Sequence, residues 1–259
     1  MTTEFFKYQG TGNDFVIIDN RQDIFGKNNA NLIAKLCDRR FGIGADGLIL
    51  LEDHPGLDFK MVYFNSDGHP SSMCGNGGRC ITAFAKYLGI IDDKAKFEAI
   101  DGEHQASIYG DMVKLEMQPV SHVETFEGHA FLDTGSPHHV QLETDLQHLD
   151  VKSKGHTIRY GAPYHEAGTN VNFVEQVGDN TFAVRTYERG VEDETLSCGT
   201  GVTAVALAMH HMKKTDQNTV KLSTPGGTLE VMFESEKEGY HSIWLIGKAT
   251  QVFKGEVTW

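Results

Sequence analysis

Met73-Cys74-Gly75-Asn76-Gly77 and Ser197-Cys198-Gly199-Thr200-Gly201 are near-copies of one another, and the organisation of the chain follows from them. Each opens an apolar run that reads as a helix. The first is Cys80-Ile81-Thr82-Ala83-Phe84-Ala85-Lys86-Tyr87-Leu88 and the second Val202-Thr203-Ala204-Val205-Ala206-Leu207-Ala208-Met209. A helix N-terminus presents unpaired N–H groups and partial positive charge, which favours thiolate over thiol. The two cysteines lie 124 positions apart in 259 residues. One long internal duplication, with its boundary near Pro119, is the simplest organisation. A cysteine in the same setting in each half is a matched pair of acid/base groups.

Working outward, strand-like runs flank both sites. In the first half they are Phe15–Asp19, Leu48–Leu51, Phe59–Phe64, Ala106–Tyr109 and Met112–Met117, with a short helix over Asn31–Asp38. In the second half they are Ala130–Thr134, His138–Leu142, Val171–Val174, Thr181–Tyr187, Thr219–Ser223, Thr228–Phe233 and Ser242–Ile246. Strands joined by short turns, with one central helix per half, predict α+β halves rather than βαβ winding. Gly89 is the expected glycine beyond the end of the first cysteine helix.

Composition narrows the function classes. With 36 acidic against 23 basic residues and a net charge of −13, nucleic acid and anionic membranes are poor partners. No apolar run approaches the ~20 residues that span a bilayer. The start lacks the basic and long apolar regions of a signal peptide, so the expected location is the cytoplasm, with the four cysteines reduced.

Several motifs read as structure. Gly42-Ile43-Gly44-Ala45-Asp46-Gly47 has the glycine spacing of a dinucleotide loop, but it follows a helix and precedes a strand, the reverse of the required order. A sharp turn is expected there. His138-His139 and His210-His211 are adjacent pairs whose members diverge, and no zinc-type spacing of cysteine and histidine exists, so no metal site is expected. His210 and His211 read as surface groups complementing a helix C-terminus, and Cys37 and Cys80 as small buried hydrophobes. Cys74 and Cys198 differ because Gly-x-Gly follows each and leaves backbone N–H groups open to a ligand. Polar residues gather next to them: Gly10-Thr11-Gly12-Asn13-Asp14, Asn65-Ser66-Asp67-Gly68, Gly168-Thr169-Asn170 and Glu188-Arg189-Gly190. Asparagine and arginine suit the ammonium and carboxylate of an amino acid.

These stretches together resemble the diaminopimelate epimerase family. The resemblance is carried by Met73–Cys80, Glu188-Arg189-Gly190 with Ser197–Gly201, Gly10–Val16, Arg39–Gly47 and Gly135-Ser136-Pro137-His138, and runs in order from about Lys7 to the C-terminus. It implies a cofactor-independent epimerase interconverting LL- and meso-2,6-diaminopimelate on the bacterial route to lysine and peptidoglycan. It further implies two pseudo-symmetric halves, each a mostly antiparallel or mixed sheet wrapped round a central helix, with the active site in the cleft between them. The halves would be residues 1–118, with the last strand at about 249–259, and 119–248. Cys74 and Cys198 match the catalytic thiols, and His138 and Glu188 match residues that assist them. Asn13, Asn65, Gly75, Asn76, Asn170, Glu188, Arg189, Gly199 and Thr200 match substrate-contacting positions. Ser136 stands where the family often has asparagine, and reaches less far. Phe253 replaces a tyrosine that some members use in dimer contacts, and a homodimer is expected.

The chemistry agrees with that reading. Inverting an α-carbon requires a base on one face and an acid on the other, exchanging roles in reverse. Two identical groups with an ordinary pKa near 8.5 satisfy this. The alternatives are a proline racemase-like enzyme, which typically carries histidine where Asn76 stands, and a non-catalytic thiol redox or binding protein.

Overall fold

A computed structural model describes residues 2–71, 73–237 and 239–259. In chain order its elements are β1 (Thr2–Gly10), β2 (Asn13–Asp19), α1 (Ala30–Cys37), β3 (Gly47–Glu52), β4 (Phe59–Asn65), α2 (Gly75–Tyr87), β5 (Lys94–Ala99), β6 (Gly102–Tyr109) and β7 (Met112–Met117). There follow β8 (Glu124–Phe126), β9 (His129–Asp133), β10 (Pro137–Leu142), α3 (Val151–Tyr160), β11 (Asn170–Gly178), β12 (Thr181–Glu188), β13 (Asp193–Thr195) and α4 (Gly199–His211). The chain closes with β14 (Thr219–Thr224), β15 (Gly227–Glu236), β16 (Gly239–Lys248) and β17 (Thr250–Thr258). Two compact units result: Met1–Leu115 with Gly247–Trp259, and Glu116–Ile246.

The first unit is a mixed sheet in the order β17-β1-β2-β3-β4-β5-β6-β7. Its pairs β2/β3 and β4/β5 are parallel, bridged by α1 and α2; the others are antiparallel. Helix α2 packs against β1, β2, β3, β4, β6 and β17, so the sheet curls around it. That explains an α2 buried almost all round, from Gly75 to Ala85. The outer side of β2 and β3 buries Val16, Ile18, Leu48 and Leu50 against Ile33 and Leu36 of α1 and against Phe25.

The second unit repeats the scheme in the order β8-β9-β10-β11-β12-β14-β15-β16. Here β10/β11 and β12/β14 are the parallel pairs, bridged by α3 and α4, and α4 packs against β9, β10, β11, β12, β14 and β15. Strand β8 stands to β9 as β17 stands to β1. The fold is thus α+β, with each mixed sheet wound round one helix.

Five of these elements lie outside the sequence expectation: β1, β5, β8, β13 and α3. Helix α3 is polar, with glycine at its centre, and only Val151, Gly155 and Arg159 are buried. Gly155 is required by contact, since a Cβ there would lie 2.4 Å from Cβ of Tyr187. Gly42 and Gly44 make the expected sharp turn: a Cβ at Gly42 would lie 1.9 Å from the Lys35 carbonyl oxygen, and Gly44 has φ +83°. One histidine reading is corrected. His210 is half-buried, its Nδ1 lies 3.0 Å from the Tyr240 hydroxyl, and burial lowers its pKa, so it is not a charged surface group.

Candidate active site

Cys74 and Cys198 are the N-cap residues of α2 and α4, with near-identical backbones: φ −111°, ψ 117° and φ −117°, ψ 115°. Neither sulfur caps its own helix, and neither helix has an acidic residue in its first turn. The N-terminal end of each helix therefore directs its positive potential at an anion with no acidic side chain in the first turn to offset it.

In the first unit, Cys74 Sγ donates to Asn13 Oδ1 at 3.6 Å. Asn76 Nδ2 donates to the same oxygen at 3.1 Å, and Asn13 Nδ2 donates to Asp46 Oδ2 at 2.7 Å. A carboxylate only accepts, so Asp46 fixes which end of the Asn13 amide meets the sulfur. Arg39 bridges Asp46 and Asp14, and Lys7 bonds Asp14 and the Gly44 carbonyl. Burial pushes Asp14 up, but its bonds to Arg39 and Lys7 outweigh this and hold it at about 2. Asn65 ends β4 with its side chain exposed, held by the turn through Gly68, whose N–H bonds the Asn65 carbonyl at 2.9 Å. Cys80 and Cys37 are buried, and burial pushes each thiol up to about 12, so neither serves as a thiolate near neutrality.

In the second unit, Cys198 Sγ lies 3.4 Å from Thr200 Oγ1. The Thr200 carbonyl accepts from Thr134 Oγ1 at 3.0 Å, and Gly199 O accepts from Thr203 Oγ1 at 2.9 Å. A Cβ at Gly201 would stand 2.5 Å from Asn172 Oδ1 and 3.3 Å from Cys198 Sγ, so glycine is required there. His138 is fully buried and pushed down to about 3, first by burial and then by the charge of Arg189. Asn172 Nδ2 donates to the His139 carbonyl, which fixes that amide, and also to His138 Nδ1 at 3.1 Å. His138 Nδ1 therefore accepts, and Nε2–H donates to Ser136 Oγ at 3.1 Å. Asn170 Nδ2 donates to Ser136 Oγ and to the Pro137 carbonyl, while its Oδ1 accepts from the Arg189 N–H at 2.9 Å. Arg189 is exposed and bonds the Ala167 carbonyl; Glu188 accepts from Thr195 Oγ1 at 3.0 Å.

Each unit thus gathers its own expected residues. Asn13, Cys74, Gly75 and Asn76 form one cluster, with Asn65 at a neighbouring strand end. Hydrogen bonds join Asn172, His138, Ser136, Asn170 and Arg189 in that order, Glu188 precedes Arg189 in the chain, and Cys198, Gly199 and Thr200 open α4. The sequence reading missed Asp46, Arg79, Thr134 and Asn172. Asp46 and Arg79 sit inside stretches already singled out, and Asn172 stands two residues from Asn170 on the same face of its strand.

The fold is shared with solved structures of low sequence identity. It matches a Bacillus anthracis phenazine biosynthesis protein of the PhzF family, with TM-score 0.80 and 13% identity over all of both chains. It matches an Agrobacterium vitis hydroxyproline epimerase with TM-score 0.71 and 14% identity, over 99% of this chain and 92% of that one. At such identities the likeness is one of fold alone. Sequence decides the family: residues 5–123 and 130–252 match diaminopimelate epimerase, and the chain belongs to that family. It is 56% identical to the diaminopimelate epimerase of Flavobacterium psychrophilum, over 97% of this chain and 98% of that one. The Aquifex aeolicus diaminopimelate epimerase is 40% identical, over 98% of each.

Proposed function

We propose that this chain epimerises LL-2,6-diaminopimelate to the meso isomer and back, without a cofactor. One of Cys74 and Cys198 takes the α-proton as thiolate, and the other delivers a proton to the opposite face as thiol. The observation that carries the reading is the pair of N-cap cysteines on equivalent helices of two units with one topology. The first-turn N–H groups bind the α-carboxylate as it gains enolate character. Asn13, Asn65, Asn76, Glu188 and Arg189 hold the remaining ammonium and carboxylate groups. Asn170 and the neutral His138 act by orienting Ser136 and the Arg189 turn. The working enzyme is a cytoplasmic homodimer in lysine and peptidoglycan-precursor synthesis.

Cys74→Ala and Cys198→Ala are each expected to slow interconversion of the isomers by about 10³-fold or more. Wild-type rates in either variant would contradict the reading, and turnover of proline instead of diaminopimelate would move it to the proline racemase-like alternative.

A further inference from the structure

Arg79 is fully buried in α2, yet it touches no acid among the described residues. Its guanidinium donates to three uncharged oxygens: Asn76 Oδ1 at 2.9 Å, Thr11 Oγ1 at 3.3 Å and the Gly75 carbonyl at 3.3 Å. Its Nε has no partner. Gly10 leaves room for it, since a Cβ there would lie 3.1 Å from Nη2. A buried cation without an anion costs several kcal/mol. An apolar side chain would fill this position more favourably, so the charge needs another reason.

The hydrogen bonds supply one. Arg79 bonds Asn76, Asn76 bonds Asn13 Oδ1, and Asn13 Oδ1 receives the Cys74 thiol. The groups near the guanidinium that can become anionic are Cys80 and Cys74. Cys80 is wholly enclosed and stays a neutral thiol, which leaves Cys74. Other titratable groups on the strands around α2 offer no counter-ion. Tyr8 of β1 is held neutral by burial, Asp14 of β2 is engaged by Lys7 and Arg39, and His104 of β6 bonds Asp101. The position five residues after the cysteine is Thr203 in α4, a helix without lysine or arginine.

We propose that Arg79 is the built-in counter-charge of the Cys74 thiolate, and that it makes Cys74 the more acidic of the two thiols. It is an electrostatic residue, acting on Cys74 through its charge rather than on substrate. The proposal rests on Cys74 being one of the two exchanging groups. In the thiol state the proton is held by Asn13; in the thiolate state the charge is balanced by Arg79.

The test is the pH dependence of iodoacetamide alkylation, followed peptide by peptide by mass spectrometry in the whole protein without substrate. In the wild type, Cys74 is expected to reach half-maximal alkylation at lower pH than Cys198. In Arg79→Met the Cys74 midpoint should rise by about one pH unit, a tenfold loss of thiolate, with the Cys198 midpoint unmoved. Arg79→Lys should restore most of the shift. An order reversed in the wild type, or a folded Arg79→Met protein with an unmoved Cys74 midpoint, overturns the proposal. If Arg79→Met does not fold, Arg79→Gln and the wild-type order decide it. A wild type that does not epimerise diaminopimelate would instead count against the function, whatever the alkylation shows.

Discussion

At the residue scale, the clusters around the two cysteines treat their polar groups differently. Cys74 and Asn13 are tied through Asp46 to a chain of surface charges, whereas His138 is enclosed with both ring nitrogens bonded. His138 is therefore neutral near pH 7 and fixes the Ser136 hydroxyl, whose oxygen receives both Nε2–H and the Asn170 amide. Its burial has a measurable consequence. The unfolded state binds a proton near pH 6.5, while the folded state resists it down to about 3. Stability from this group is complete above pH 6.5 and is lost as pH falls toward 3. His139, pushed down to about 4 by burial, adds to the same trend. Between pH 7 and 4 the wild-type melting temperature should thus fall more steeply than that of His138→Gln. Parallel slopes would show that His138 is not buried in its neutral form.

At the element scale, the cysteine helices show why glycine follows each cysteine. Gly201 lets Asn172 and the Cys198 sulfur share one space, whereas an added Cβ at Gly77 would meet flexible methyl ends of Ile49 and Met61 at 3.1 Å. Gly201→Ala should therefore lower kcat/KM by about 10²-fold by displacing Cys198 or Asn172, and Gly77→Ala at least tenfold less. Equal losses in the two would contradict this account of the α4 entrance. These two helices were legible because an apolar run follows each cysteine within two turns. Strand β1 was not, since Lys7 interrupts its apolar pattern, and that lysine is buried against Asp14. Helix α3 escaped because one face of it is solvent, and its start is marked only by Asp150 accepting from the Ser153 N–H. Asp46 and Arg79 were hidden for a related reason. Asp46 accepts from Asn13 and Arg79 donates to Thr11, each partner lying in a distant stretch, and spacing along the chain does not reveal such contacts.

At the scale of the whole molecule, the duplication read from two pentapeptides corresponds to two units with the same order and sense of strand pairing. The C-terminal strand β17 belongs to the first unit, where it pairs along β1, and Trp259 packs edge-on against Phe25. A repeated unit that brings the same acid/base group twice has a chemical reason if the reaction inverts a carbon. The central claim is that a thiol from each unit acts on opposite faces of one α-carbon. It is tested most directly by following LL-diaminopimelate in D₂O at early conversion. Two bases deliver solvent deuterium to the inverted carbon of the meso product, while recovered LL substrate carries none. Product that retains the substrate's own proton, or deuterium appearing equally early in recovered substrate, would mean that a single base serves both faces.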